Sequence, residues 1–224
     1  MTTTTTSRRE AKDALFDGFA TIARALASGR RAEIIDVLAQ GERTVDEVAR
    51  EISQSIANTS HHLRALARAG LVTTRRAGTH VHYRLASPLV EELWATLRDL
   101  AAERVDELDA LAAAYLGDRD ELQTITRDEL DERLQRRDLV LIDVRPEAEY
   151  AAGHIPGAIS TPPDQLDHAL DALPDEGDVV AYCRGPYCAY ADDAVRTLQA
   201  RGRQALRLEE GLPEWRRNGG TLET

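Results

Sequence analysis

The sequence predicts two domains, a mainly helical one that ends in a β-hairpin and an α/β one built on a mainly parallel sheet. Three observations carry that expectation. At 224 residues the chain exceeds what one small domain needs, at roughly 100–200 residues per domain. Apolar residues recur at helical spacing through most of 15–115, whereas past Gly117-Asp118-Arg119-Asp120 short apolar runs alternate with helical stretches. Charge divides at the same place, with 15 Arg and Lys against 16 Asp and Glu in residues 1–116 but 13 against 23 in 117–224. The expected limits are a disordered tail at 1–10, a helical domain at 11–116, a linker at 117–120 and an α/β domain at 121–224.

Met1 to Arg9 is a threonine tract followed by Ser-Arg-Arg, without the apolar stretch and small-residue cleavage site of a secretory signal. It reads as the tail of a cytoplasmic protein. No apolar run approaches the roughly 20 residues of a bilayer crossing, so no membrane partner is expected. The hydrophobic content of 42% with only 4% aromatic residues supports a soluble core of Leu, Val, Ile and Ala. The two cysteines, Cys183 and Cys188, are too few for a disulfide scaffold and too close together to be unrelated, which points to chemistry.

In the first half, Leu15, Phe19, Ile22, Ala23 and Leu26 predict one helix, and Ile34, Ile35, Val37 and Leu38 a second that Gly41 stops. Thr44 with Glu47 fits a capping box for a short helix with Val45, Val48, Ala49 and Ile52 inward. Ser53-Gln54-Ser55 makes a turn, and Ser55 can cap a helix from Ile56 to Ala69 that Gly70 ends. Its expected apolar stripe is Ile56, Leu63, Leu66 and Ala67. With Leu63 at the buried centre, Asn58, His61, Ala65 and Arg68 fall opposite, flanked by His62 and Arg64. Residues 71–76 and 80–85 alternate around Ala77-Gly78 as a hairpin, giving a helix-turn-helix with a basic wing.

From Ile52 to Val90 there is no Asp or Glu, yet five arginines and four histidines. That local basic surface suits a phosphate backbone even in an acidic chain. The residues expected at double-stranded DNA are Ser55, Asn58, Thr59, His61, His62, Arg64 and Arg68 on the helix, and Arg75, Arg76 and His80 on the wing. Amide and guanidinium groups read base edges bidentately, and wing cations meet phosphates or the minor groove. From Pro88, one long helix is expected through Val90, Leu93, Trp94, Leu97, Leu100, Ala101, Val105, Leu108, Leu111 and Tyr115. Its apolar stripe outlasts a small core, so a homodimer through this 88–116 helix and the N-terminal helix is expected.

These residues, in particular Asn58-Thr59-Ser60-His61-His62-Leu63 through Tyr83-Arg84-Leu85, resemble the ArsR/SmtB family of dimeric winged-helix repressors across about 15–115. The resemblance implies repression from a two-fold operator. That family often senses metals through thiolates before the turn or carboxylate and His ligands on the last helix. Here the first region reads Arg43-Thr44-Val45-Asp46-Glu47-Val48, and the last-helix positions hold Ser87, Leu89, Leu100 and Glu103. No metal site is therefore assigned; His80 and His82, on one face of a strand, are the remaining metal-binding alternative.

In the second half, Thr126 with Glu129 caps a helix ending near Arg137, and 139–144 is a buried strand bounded by Arg145-Pro146. Residues 158–160, 178–182 and 205–208 are further strands, with helices at 166–173 and 189–201. Cys183 follows directly on a strand, where ligands of parallel sheets gather. The turn Cys183-Arg184-Gly185-Pro186-Tyr187-Cys188-Ala189 then leads into a helix. Backbone N–H groups and a helix amino end favour an anion there, so they lower the thiol pKa and suit a thiolate or a persulfide, with Arg184 adding positive charge. Cys188 closes that loop, so it is a candidate resolving thiol for a persulfide or sulfenate on Cys183.

Leu141-Ile142-Asp143-Val144-Arg145, Glu149-Tyr150, Gly153-His154-Ile155-Pro156-Gly157-Ala158, the Cys183 loop and Gly211-Leu212-Pro213-Glu214-Trp215 resemble, in order, the rhodanese family of sulfurtransferases over about 121–220. The resemblance implies that Cys183 takes a sulfane sulfur as a persulfide from a donor such as thiosulfate or polysulfide, without a cofactor. It implies that Asp143 lies near the site, that Arg145 and Glu149 form a structural ion pair, and that His154 is a loop hydrogen bonder. Related phosphatase loops carry an Arg six residues after the Cys; here that position is Ala189, which argues against oxyanion-ester chemistry.

Three functions follow. The first is a dimeric DNA-binding regulator whose rhodanese-like half senses reactive sulfur or oxidant through Cys183. The second is an active sulfurtransferase with an appended DNA-binding domain, and the third a metal or metalloid sensor.

Overall fold

The computed structural model describes residues 7–174 and 177–224, and the chain divides into two compact units, Met1–Leu97 and Arg98–Thr224. In the first unit, α1 (Arg8–Leu26) and α2 (Gly29–Ala39) are followed by β1 (Arg43–Thr44), α3 (Val45–Glu51), α4 (Ile56–Arg68), β2 (Val72–Ala77) and β3 (His80–Leu85). The helix α5 (Pro88–Arg104) runs across the division. The strands form an antiparallel sheet in the order β1-β3-β2. Ile34, Ile35, Leu38, Val48, Ile52, Leu63, Leu66 and Val90 fill one core beneath it, and Trp94 on α5 donates to Asp36 Oδ1 on α2 at 2.8 Å.

The second unit contains α6 (Leu108–Leu116), β4 (Thr124–Ile125), α7 (Arg127–Arg136), β5 (Leu139–Asp143), α8 (Glu147–Ala152), β6 (Ile159–Ser160), α9 (Leu166–Asp171), β7 (Asp178–Tyr182), α10 (Tyr190–Ala200), β8 (Ala205–Leu208) and α11 (Leu212–Arg217). All five strands are parallel, in the order β4-β8-β7-β5-β6. Alternation along each strand divides the core in two. Ile142, Val179 and Ala181 face α10 with Ala194, Val195 and Leu198. Leu141, Val180 and Tyr182 face the other side with Leu130 of α7 and Trp215 of α11.

Several expectations are corrected. The tail does not extend to residue 10, because Ser7 accepts from Glu10 N while Glu10 reaches back to Ser7 N, a capping box that starts α1 at Arg8; Met1–Thr6 lie outside the described residues. The single helix over 88–116 is two. The ladder is interrupted at Val105–Glu107, where Leu108 N bonds the Val105 carbonyl in a tighter i→i−3 turn. The domain division falls within α5 and not at 117–120, because the end of α6 packs in the second unit, with Leu116 buried and its carbonyl accepting from Arg196. The expected stripe on α4 is also shifted. Thr59, Leu63 and Leu66 are buried, whereas Ile56 is 53% exposed and Ala67 is exposed. Thr59 stands four residues before Leu63 and shares its face.

Candidate functional site

The carboxyl edge of the parallel sheet holds the thiol loop. β7 ends at Tyr182, and strand parity turns Cys183 toward the α10 side, where it is 2% exposed and packs in the same core as Ala181 and Ala191. The chain then curls through half-buried Arg184–Ala189 into α10. Cys188 N donates to the Gly185 carbonyl at 3.2 Å, closing the turn. Gly185 adopts φ 153°, a region that favours glycine. Gly211 supports the loop from beneath: a Cβ there would overlap Gly185 N and the Arg184 carbonyl carbon. Cys183 and Cys188 are joined in a disulfide with their Cα atoms 6.5 Å apart, inside the roughly 4.4–6.8 Å that a disulfide spans.

Asp143 is in register with Tyr182 but lies on the opposite sheet face from Cys183. Tyr182 Oη donates to Asp143 Oδ2 at 2.7 Å and accepts from Ile155 N at 3.0 Å. Burial, followed by the Asp143 charge, raises the Tyr182 pKa. Arg145 reaches the same carboxylate, with Nη2 at 2.5 Å from Oδ2 and both side chains fully buried. Burial opposes its charge, and the hydrogen bond and charge of Asp143 more than offset that, so the Arg145 pKa is raised. Asp143 thus braces the strand end from behind and does not face the thiol.

The expected Arg145–Glu149 pair is corrected. Glu149 pairs with Arg184 at 2.6 Å, while Arg145 pairs with Asp143 and feels Glu149 only as a lesser charge. The reason is reach: the guanidinium of Arg145 folds back two residues onto its own strand end, which leaves Glu149 to the loop. Arg184 also stacks over Tyr190, 5.5 Å from the ring centroid, so its charge is compensated rather than offered to the thiol. Arg119, which no sequence motif marks, contacts the loop instead, donating to the Pro186 carbonyl at 2.8 Å. His154 Nδ1 lies 3.0 Å from the Tyr150 carbonyl, and the ring stacks on Tyr150 at 3.8 Å.

On the first unit, Ser55 Oγ accepts from Asn58 N at 3.3 Å and so caps α4. Asn58, His61, Arg64 and Arg68 are exposed along it, with Asn58 Nδ2 donating to Gln54 Oε1 at 2.8 Å. Thr59 does not join them. It is fully buried, and its Oγ1 has no hydrogen-bond partner, which removes it from the expected DNA contacts. His62 is half-buried, and burial together with the charge of Arg31 lowers its pKa. On the hairpin, Arg76 and His80 are exposed, whereas Arg75 is paired with Glu42. Among the described residues no three His, Cys, Asp or Glu are grouped to hold a metal ion, and no helix is long and apolar enough to cross a membrane.

The helix-turn-helix and the cysteine loop on a parallel sheet are matched, separately, by two families. Residues 28–74 match the bacterial regulatory protein, arsR family, and residues 126–218 the rhodanese-like domain. Over 208 residues, 93% of this chain and 91% of the other, the chain is 44% identical to the HTH-type transcriptional regulator Rv0324 of Mycobacterium tuberculosis. The chain is an ArsR-family, DNA-binding transcriptional regulator with a rhodanese-like domain. The regulator is also 35% identical, over 96 residues, to a sulfurtransferase of Allochromatium vinosum, covering 42% of this chain and 89% of that protein. A solved structure from Mycobacterium bovis, the homodimeric winged helix-turn-helix DNA-binding domain of Mb0332, shares 40% identity across 47% of this chain and 95% of that one, with a TM-score of 0.42.

Proposed function

We propose that the regulator binds its operator as a homodimer and that Cys183 and Cys188 form its sensor for sulfane sulfur. The observation that carries this reading is the disulfide within the loop. In the reduced protein, the Cys183 thiolate attacks the outer sulfur of thiosulfate or a polysulfide, leaving a persulfide and releasing sulfite or the shortened polysulfide. The Cys188 thiolate then attacks Cys183 Sγ, forming the disulfide and expelling hydrosulfide. Two thiols are oxidised, one sulfane sulfur is reduced to sulfide, and no further oxidant is required. The dimer reading is supported by apolar side chains that one chain leaves in water, namely Leu15, Phe16 and Phe19 on α1 and Leu89, Leu93 and Leu97 on α5, each at least 39% exposed.

The test is fluorescence anisotropy of the DNA upstream of its own gene, with dithiothreitol-reduced protein before and after a polysulfide. Wild type is expected to change affinity by at least about tenfold, a difference of ~1.4 kcal/mol between the two states. Cys183→Ser binds DNA like reduced wild type and ignores the donor, and Cys188→Ser stops at a persulfide, a gain of about 32 mass units. An unchanged wild-type affinity alongside a persulfidated Cys183 overturns the sensor. The second reading, an active sulfurtransferase, is favoured by the similarity to the Allochromatium protein and requires multiple turnovers of thiosulfate with no dependence on DNA.

A further inference from the structure

Arg119 lies outside the thiol loop, in the short segment after α6, yet its guanidinium spans three acceptors on the loop and on α10. Nε donates to Asp192 Oδ2 at 2.6 Å, Nη1 to the Pro186 carbonyl at 2.8 Å and Nη2 to the Cys188 carbonyl at 3.5 Å. Asp192 is fully buried, while Arg119 is 25% exposed. Arg196, one turn further along α10, donates to the carbonyls of Asp118 at 2.7 Å and Leu116 at 3.4 Å. Two arginines therefore tie residues 116–119 to the helix that begins where the thiol loop ends. Arg207 approaches the same carboxylate, 3.4 Å from Oδ1, without hydrogen-bond alignment. Burial and the charge of Arg119 push the Arg207 pKa down. Of the two cations sharing Asp192, Arg119 has the aligned bond.

We propose that Arg119 is a positioning residue for the carboxyl limb of the thiol loop, and that through it the order of the Gly117–Asp120 segment follows the oxidation state of Cys183 and Cys188. This rests on the reading that the pair cycles between disulfide and dithiol. A planar guanidinium meets three acceptors only when all three are fixed at once. The disulfide fixes Cys188 from its side chain, and Arg119 fixes it from its carbonyl. Reduction by a dithiol, which takes up the bond as its own disulfide and leaves two protonated thiols, removes the first constraint. The contact at 3.5 Å, the longest of the three, is then the first to yield. By linkage, whatever the strap gains from the closed disulfide it returns as stability of that disulfide.

Hydrogen–deuterium exchange on the full chain tests this, comparing dithiothreitol with diamide and reading peptides that cover residues 113–122. Wild type is expected to exchange there about fivefold more slowly when oxidised, at the scale of local opening. Arg119→Lys keeps a cation for Asp192 but cannot span three acceptors. It is expected to lose the difference while still losing two hydrogens' mass at the cysteines, and in a glutathione buffer to shift at least about threefold toward the dithiol. Arg207→Lys alters the other cation on Asp192 without touching the loop, and it is expected to keep the wild-type difference. The proposal is overturned by an unchanged difference in Arg119→Lys, by its loss in Arg207→Lys, by no difference in wild type, or by no disulfide under diamide. If diamide closes the disulfide and polysulfide does not, the sulfane-sulfur reading falls and the strap stands.

Discussion

Arg75 and Arg76 are neighbours on one strand, but they are not equally available to a phosphate. In a hairpin, successive side chains point to opposite faces, and Arg75 falls on the face that meets Glu42 while Arg76 remains exposed. The hydrogen bond from Arg75 lowers the Glu42 pKa, against a smaller cost of burial. Exposed pairs of this kind contribute little to stability, so the effect of this one is expected in binding, with Glu42 competing with a phosphate for a wing cation. Arg76→Ala is expected to weaken binding on every sequence and to reduce the salt slope by about one. Arg75→Ala changes it less. Glu42→Gln, which keeps the shape and removes the charge, is expected to tighten binding by about two- to threefold at low salt. Salt titrations of anisotropy on specific and unrelated duplexes measure all three, and equal slopes for the two arginine variants would remove Glu42 from the account.

At the scale of elements, α4 shows what periodicity reveals and what it misses. Its start, its end and its exposed arginines follow from Ser55, Gly70 and the helical repeat, but the most apolar residues do not mark its buried stripe: Ile56 and Ala67 face out and Thr59 faces in. Packing decides this, since a threonine one turn before Leu63 cannot avoid the core. Thr59→Val removes a buried hydroxyl without a partner and is expected to stabilise the protein by about 1 kcal/mol while leaving DNA affinity unchanged. Urea unfolding and anisotropy check the two halves, and a loss of affinity would return Thr59 to the interface. The strands β5, β7 and β8 were legible because a buried parallel sheet leaves near-continuous apolar runs. The pairs Arg43-Thr44 and Thr124-Ile125 were not, since two residues carry no period; they are strands only because β3 and β8 offer edges to them. The place of the cysteine loop, after a strand and before a helix, was legible from the apolar run and the helical repeat on either side of it, but the chemistry expected of it came from the motifs around it and not from the spacing of the two cysteines. Arg119 was not legible, because its partners are 67 to 73 residues away in sequence and backbone carbonyls leave no trace in a sequence.

For the molecule as a whole, the overall charge conceals a division of labour. Residues 117–224 hold nearly all of the excess of acid over base, which repels DNA, while the stretch without acid lies on α4 and the hairpin. The apolar faces of α1 and α5 give the chain a second surface unsuited to water. Phe19→Asp, at a side chain 62% exposed in one chain, is expected to yield a folded monomer by sedimentation and to weaken operator binding by at least about a hundredfold, since each half-site then binds alone. A dimer that persists would place the interface elsewhere. The two sulfurs, by contrast, come from positions five apart in a single loop. Closing that bond needs no second copy of the chain, so the rate of closure per molecule does not change with the abundance of the regulator. The donor, not a second copy of the chain, is then the one outside reactant that closure of the pair requires.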